Sequence, residues 1–127
     1  KNFIDKDFIP VIAPMGVDET RQAYNINADT AAGALAISLK SRRLLLMTDV
    51  EGVCDENNKL ISEIKSTQAE KLIYNDTIHG GMIPKIRTCI NAVNNNVRGV
   101  VIIDGRRPHS ILFELFSDQG AGTLIRK

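Results

Sequence analysis

With 127 residues and a formal net charge of +1, the chain is long enough for one domain with a sizeable core, and its charge gives no case for nucleic acid as a partner. Its 43% hydrophobic and 24% charged residues are ordinary for a soluble globular protein, and no apolar run approaches the ~20 residues that cross a bilayer. Cys54 and Cys89 lie far apart and belong to no CxxC or Cys/His cluster, which favours free cytosolic thiols over a disulfide or a metal site.

The first third of the chain predicts a strand, a loop and a helix. Residues 8–14 are mostly apolar and end at a proline, which is typical of a short buried strand, and residues 15–22 are predicted to form a loop. A helix is predicted over residues 25–40, with Asn27 or Asp29 as its N-cap. The small residues of this helix would let it lie close to a sheet.

The middle of the chain predicts a buried strand, a hairpin and a second helix. The unbroken apolar run 43–48 is typical of a strand covered on both faces, and residues 49–53 form the turn at its carboxyl end. A polar hairpin tip is predicted over residues 55–59, with a return strand over 60–64. A capping-box pattern then opens a short helix over residues 67–74.

A glycine pair, Gly80 and Gly81, precedes a predicted helix over residues 83–95. Glycine tolerates positive φ and lets a ligand approach the backbone, and Pro84 suits a first helical turn because its missing N–H costs nothing there. The free N–H groups and positive dipole end of a helix start favour an anion, and Lys85 adds a full positive charge. The combination suggests a phosphate site. Taken alone, the stretch more often marks an ordinary loop-to-helix junction, because neither a Walker loop nor GxGxxG is present.

Three elements close the chain: a buried strand over residues 97–104, a helix over 108–116 and a strand over 122–125. Strands thus alternate with helices, which predicts an α/β fold with a mainly parallel sheet. In such sheets ligands gather beyond the carboxyl ends of the strands. The loops at 15–29, 48–54 and 104–110 are predicted to meet there, and the Gly80 loop must fold onto the same edge if it handles phosphate.

Three motifs, at residues 24–32, 44–53 and 80–85, occur in this order and together resemble the C-terminal, nucleotide-binding half of the acetylglutamate kinases, which belong to the amino acid kinase family. The resemblance extends from about Ile9 to Ile125. It implies a three-layer αβα sandwich with a mainly parallel sheet. The implied reaction transfers the γ-phosphoryl group of ATP to the side-chain carboxylate of N-acetyl-L-glutamate, an early step of arginine synthesis. It also implies Mg²⁺ carried by ATP without metal-binding side chains, a cytoplasmic location, and a homo-oligomer of the full-length enzyme.

The resemblance assigns roles to individual residues. Lys85 matches the catalytic lysine that stabilises the transition state, and Asp29 matches the aspartate that organises the catalytic lysines. Asn25 matches the residue that contacts the acetylglutamate substrate. The ordinary alternatives are a helix-capping aspartate for Asp29 and a turn-forming asparagine for Asn25.

A larger set of positions is implied to contact the nucleotide. Asp49 is a candidate for the ribose hydroxyls, and Gly52 would allow the nucleotide to approach closely. The alternative for this segment is an ordinary strand-ending turn. The implied contacts are Thr48, Asp49, Val50, Glu51, Gly52, Val53, Cys54, Thr77, Ile78, His79, Gly81 and Met82.

Residues 107–123 resemble the tail of the arginine-inhibited branch of these kinases. The resemblance implies a feedback site for arginine bordered by His109, Glu114, Gly120 and Gly122. The alternative is an amphipathic helix with a solvated Glu114, followed by a glycine turn into the last strand. Whether Arg106 and Arg107 contact phosphates or coat a helix start is left open.

The chain also departs from the family pattern. Family enzymes carry, before this region, a glycine-rich loop with a second catalytic lysine, whereas Gly16 is the only glycine before Asp29, and Lys1 and Lys6 sit in no comparable setting. We therefore expect residues 1–127 to be a single nucleotide-binding domain, a fragment without the N-terminal acetylglutamate-binding domain and inactive by itself. Two other hypotheses stay open: a kinase for aspartate, glutamate, carbamate or UMP, and a non-catalytic module that senses nucleotide or arginine.

Overall fold

The computed structural model describes residues 3–127; Lys1, which the sequence gives no setting comparable to that of the second catalytic lysine, lies outside the described residues. Six strands and four α-helices follow a short 3₁₀ turn at Ile4–Lys6 in that part of the chain. In chain order they are β1 (Met15–Val17), β2 (Ala23–Asn25), α1 (Ala28–Ser38), β3 (Arg43–Thr48), β4 (Glu63–Lys65), α2 (Ser66–Tyr74), α3 (Met82–Asn94), β5 (Gly99–Asp104), α4 (Ser110–Phe116) and β6 (Gly122–Arg126).

The main sheet has the strand order β3-β5-β6-β4. β3 runs parallel to β5, with Arg43 opposite Gly99 and Thr48 opposite Asp104, and β4 runs parallel to β6. Only the central pairing of β5 with β6 is antiparallel. The predicted α/β fold with a mainly parallel sheet is therefore confirmed.

Helices cover both faces of this sheet. The larger core lies between the sheet and α1, α2 and α3, where Ile86, Cys89 and Val93 of α3 are buried with Val100 and Ile102 of β5. Side chains alternate between the two faces of a sheet along a strand. Arg43 of β3 therefore lies on the face that is turned away from this core. Its ion pair with Glu114 shows that α4 covers that face, which completes the three layers.

The predicted strand over residues 8–14 is wrong. No ladder includes residues 8–13, and the side chains of Ile9 and Val11 are 91% and 97% exposed. Pro10 and Pro14 cannot donate to a ladder, so an apolar run that contains them is a poor strand. The predicted loop over 15–22 is also partly wrong, because β1 and β2 form an antiparallel hairpin whose turn is closed by Asp18.

Smaller corrections concern the ends of elements. The predicted return strand over 60–64 is a single bridge between Cys54 and Leu60 followed by β4. The expected capping box at residues 67–70 does not open α2; instead Gln68 accepts from the Lys65 amide, 3.1 Å away. The helix predicted from residue 108 begins at Ser110.

We predict that Gly122→Ala strongly destabilises the protein. A Cβ at Gly122 would lie 1.9 Å from the carbonyl oxygen of Ile102 on β5, so the β5–β6 pairing at the centre of the sheet must move apart. The expected loss in the free energy of unfolding is about 3 kcal/mol, the upper range for overpacking, measured by urea denaturation. Gly81→Ala is the control, because a Cβ there meets nothing within 4 Å. Equal stabilities for the two variants would contradict this account of the β5–β6 contact.

Candidate active site at the helix starts

The site forms where two helices begin. Connections of a few residues join α1 to β3 and α3 to β5, so each helix runs back along the sheet and starts near the carboxyl end of its strand. α1 packs on α3, and a Cβ at Gly33 would lie 2.7 Å from Cγ2 of Thr88. This close crossing brings the first turns of both helices together at the edge where β3 and β5 end.

The first turns of α1 and α3 are joined by an ion pair. Lys85 Nζ donates to Asp29 Oδ2 at 2.7 Å, and the side chains are only 13% and 26% exposed. Asn27 caps α1, since its Oδ1 accepts from the Thr30 amide at 3.1 Å. Because Asn27 caps the helix, Asp29 does not have to, and its carboxylate holds the ammonium of Lys85 in a fixed position.

A buried thiol lies beneath this pair. Cys89 follows Lys85 by one helical turn and is fully buried. Burial raises its pKa to about 12; nearby Lys85 lowers the pKa and Asp29 raises it again. The thiol is therefore neutral at physiological pH and serves as core packing beside the ion pair.

The Gly80–Gly81 pair leaves open space at the start of α3. Gly80 has a φ of +57°, and a Cβ at either glycine would meet nothing within 4 Å. The expectation of free amides holds only in part: Met82 and Ile83 donate to the carbonyls of His79 and Gly80 at 3.3 and 3.2 Å. Within residues 3–127 the amides of Gly80 and Gly81 donate to no protein group. These two amides are the ones available to a ligand.

The loop after β3 divides into an open part and a buried part. Asp49, Val50 and Glu51 are exposed, whereas Gly52 and Val53 are buried. The amide of Val53 donates to Thr123 Oγ1 at 2.8 Å, and a Cβ at Gly52 would lie 2.6 Å from that oxygen. The close approach expected at Gly52 is thus made by Thr123 of β6.

The second predicted nucleotide segment also divides. Ile78 is 4% exposed and belongs to the core, while His79 is exposed beside Gly80. Thr77 and Met82 are half-buried. Only His79 presents an open side chain from this segment.

Asn25 lies at the end of β2, before the cap of α1. It is exposed, and the next amide, of Ile26, donates to the carbonyl of Pro14 at 2.8 Å. The hairpin thereby holds Asn25 two residues ahead of Asn27. The side-chain amide of Asn25 is thus only a few residues from Asp29 in the sequence.

The turn after β5 contains a pair that the sequence did not reveal. Asp104 accepts from Nε and Nη2 of Arg106, both at 2.9 Å, and the amide of Gly105 donates to the carbonyl of Thr48 at 2.7 Å. The hydrogen bonds from Arg106 lower the pKa of Asp104 to about 2. An aspartate with an arginine two residues later is a weak signal, since such turns are common.

Arg107 faces a different direction. Its guanidinium lies 4.9 Å from the centre of the Phe113 ring, a cation–π distance. Arg106 therefore stabilises the turn after β5, and Arg107 packs on Phe113 of α4.

The predicted effector residues are only partly brought together. Glu114, Gly120 and Gly122 line a cavity of about 330 Å³. Glu114 is 8% exposed, which excludes the alternative of a solvated carboxylate; Oε1 accepts from Arg43 Nη1 at 3.1 Å and Oε2 from the Ala121 amide at 2.8 Å. His109 instead lines a separate cavity on α4, with Phe113 and Phe116.

Residues 3–127 contain no group of three or more His, Cys, Asp or Glu side chains placed to hold a metal ion. No helix in this part of the chain has the length and apolar character to span a membrane.

Residues 1–104 match the model of the amino acid kinase family. The chain belongs to this family. It is 59% identical over 119 residues to the acetylglutamate kinase of Pelagibacter ubique, covering 94% of this chain and 41% of that protein, and 56% identical over 124 residues to the acetylglutamate kinase of Rhodospirillum rubrum, covering 98% and 40%. The resemblance to acetylglutamate kinases is therefore confirmed, and the chain spans about two fifths of the length of these relatives.

A solved structure shows the same fold over almost the whole chain. N-acetylglutamate synthase from Neisseria gonorrhoeae, complexed with coenzyme A and L-arginine, superposes with a TM-score of 0.93 at 25% sequence identity. The match covers 99% of this chain and 29% of the synthase.

We predict that the Lys85–Asp29 pair contributes a measurable coupling energy. Asp29→Asn, Lys85→Met and the double variant form a cycle in which the coupling should be about 1–2 kcal/mol, because both groups are largely shielded from water. Urea denaturation provides the free energies of unfolding. The matched control is the Arg126–Glu63 pair, whose side chains are 52% and 46% exposed and whose coupling should stay below about 1 kcal/mol. A coupling no larger than that of the control would show that the two charges do not hold α1 and α3 together.

Proposed function

We propose that this chain is the nucleotide-binding part of an acetylglutamate kinase, a cytoplasmic enzyme that transfers the γ-phosphoryl group of ATP to the side-chain carboxylate of N-acetyl-L-glutamate. The names of the relatives support this acceptor. The observation that carries the proposal is the 2.7 Å contact between Lys85 and Asp29 at the start of α3. It joins a cation and its counter-ion at the edge where α/β folds bind ligands.

The charges at this edge suit phosphoryl transfer. The passing phosphoryl group spreads negative charge over its oxygens, and a positioned ammonium such as that of Lys85 stabilises this charge. A bare carboxylate would repel the phosphates, but Asp29 is paired and serves to hold the lysine. The acceptor is a carboxylate that is already ionised at neutral pH, so exposed His79 need not act as a base.

The described residues fit ATP at the same edge. The open amides of Gly80 and Gly81, at the positive end of the 13-residue helix α3, would hold phosphate oxygens. The exposed residues 49–51 would contact the adenosine, while Gly52 and Val53 support that loop from below. ATP supplies the phosphoryl group, and its phosphates would carry Mg²⁺, which prefers oxygen ligands and keeps several waters.

The acceptor site is assigned only in part. Asn25 is exposed at the end of the hairpin, and its amide has both donors and an acceptor for an acylated amino acid. We assign the rest of the acetylglutamate site, and the contacts of a homo-oligomer, to parts of the enzyme outside residues 1–127, because the relatives are more than twice as long.

We also propose that the cavity beside Glu114 binds arginine as a feedback inhibitor. A buried carboxylate is a suitable partner for a guanidinium. The N. gonorrhoeae synthase, whose fold is shared over 99% of this chain, was solved with L-arginine. Gly120 and Gly122 border the cavity, whereas a role for His109 stays a prediction, since it lines another cavity.

The decisive experiment uses the complete gene product. Lys85→Met should lower kcat with N-acetyl-L-glutamate by on the order of a hundredfold or more, with little change in the KM for ATP, because the lysine acts mainly on the transition state. The matched control is Lys71→Met on α2, an exposed lysine that should leave kcat unchanged. Unchanged kcat in Lys85→Met would refute the assigned role. Faster turnover of aspartate, glutamate, carbamate or UMP than of N-acetyl-L-glutamate would show that one of them is the acceptor instead. Nucleotide binding without turnover of any acceptor would indicate a sensing module.

A further inference from the structure

The cavity beside Glu114 already contains a guanidinium from the chain itself. Arg43 and Glu114 both line this space of about 330 Å³, and Nη1 of Arg43 donates to Oε1 of Glu114 at 3.1 Å. Arg43 is the first residue of β3, and Glu114 lies on α4, so the contact spans two layers of the fold. A carboxylate that is 8% exposed requires a cationic partner, because an unpaired buried charge is costly.

The two partners of Glu114 differ in how firmly they are held. The amide of Ala121 donates to Oε2 at 2.8 Å, and a Cβ at Gly120, whose φ is +70°, would lie 2.9 Å from that oxygen. The backbone turn is therefore built around Oε2. Arg43, by contrast, is 42% exposed and makes a single contact with the carboxylate. A guanidinium can contact a carboxylate through two parallel hydrogen bonds, so this contact leaves part of its capacity unused.

We propose that Arg43 is a tethered competitor for the guanidinium position of the effector cavity. An arginine-like ligand would bind Glu114 by displacing the Arg43 guanidinium into solvent, where its half-exposed side chain already reaches. This inference rests on the proposed effector site. A side chain held on a short tether competes at an effective concentration on the order of millimolar or more. Arg43 thus raises the concentration of ligand that the cavity needs.

The guanidinium of Arg43 also indicates which chemical class of ligand this cavity binds. A position filled by a planar guanidinium suits another guanidinium better than an ammonium, which lacks the fork of parallel N–H groups. L-citrulline, which has the shape of arginine without its charge, should leave Glu114 unpaired and should not displace Arg43.

The test is a calorimetric titration of the complete gene product with L-arginine, with L-citrulline and L-lysine as comparison probes. Arg43→Met removes the charge and retains much of the stem, so it should bind L-arginine about tenfold or more tightly than the wild type. L-arginine should also restore most of the thermal stability that this variant loses, whereas citrulline should not. The control is Arg42→Met, an exposed neighbour that should titrate like the wild type.

Two further variants keep the outcome decisive. Arg43→Lys retains the charge without the planar fork and should bind L-arginine several-fold more tightly than the wild type, even if Arg43→Met fails to fold. Glu114→Gln should abolish binding in either background. Binding that is weaker in Arg43→Met and Arg43→Lys would overturn the proposal, since Arg43 would then assist the ligand.

The other outcomes separate this inference from the proposals on which it rests. Equal binding in the wild type and both Arg43 variants, lost in Glu114→Gln, would overturn the competition and leave the effector site standing. No binding in any variant would overturn both. The kinase proposal depends on neither result, because it is tested by the kcat of Lys85→Met.

Discussion

The ion pair between Lys85 and Asp29 is the contact on which the candidate site depends. Each charge lies in the first turn of its helix, and the 2.7 Å contact fixes those turns relative to each other. Such a pair is possible because α1 is rich in small residues and Gly33 lets it approach Thr88 of α3 closely. The packing of these two helices therefore determines where the shielded ammonium of Lys85 lies.

A second constraint comes from β6. Its Thr123 is fully buried and bonds both to the amide of Val53 and to the carbonyl of Ile61, so the central strand anchors the loop that follows β3. The turn after β5 holds the same loop from the other side through Gly105 and Thr48. The exposed residues 49–51 are thus presented by a supported loop, as expected for a site on a rigid scaffold. One strand positions the candidate nucleotide loop and also begins at the cavity beside Glu114.

The local elements of this fold could be predicted from the sequence, whereas the contacts between distant residues could not. The strand at 43–48 and the helix behind Gly81 follow from periodicity and glycine chemistry. The convergence of Asp29 and Lys85 also follows, once each helix is placed before its strand. In contrast, the strand predicted from the apolar run at 8–14 is wrong, because periodicity does not show whether a core is available to cover the run. The Arg43–Glu114 pair depends on tertiary placement, for which a single sequence carries no signal, and the local Asp104–Arg106 pair gives only a weak signal because such turns are common.

The central claim is that the edge formed by the starts of α1 and α3 holds the phosphates of a nucleotide. It is tested most directly by titrating the ¹⁵N-labelled chain with MgADP and following the backbone amide resonances. We expect the largest shifts at Gly80 and Gly81 and at residues 49–51, because these residues are exposed at that edge and are proposed to contact the nucleotide. Shifts confined to the groove between α2 and α3, around Tyr74 and Asn94, would place the nucleotide elsewhere and contradict the account.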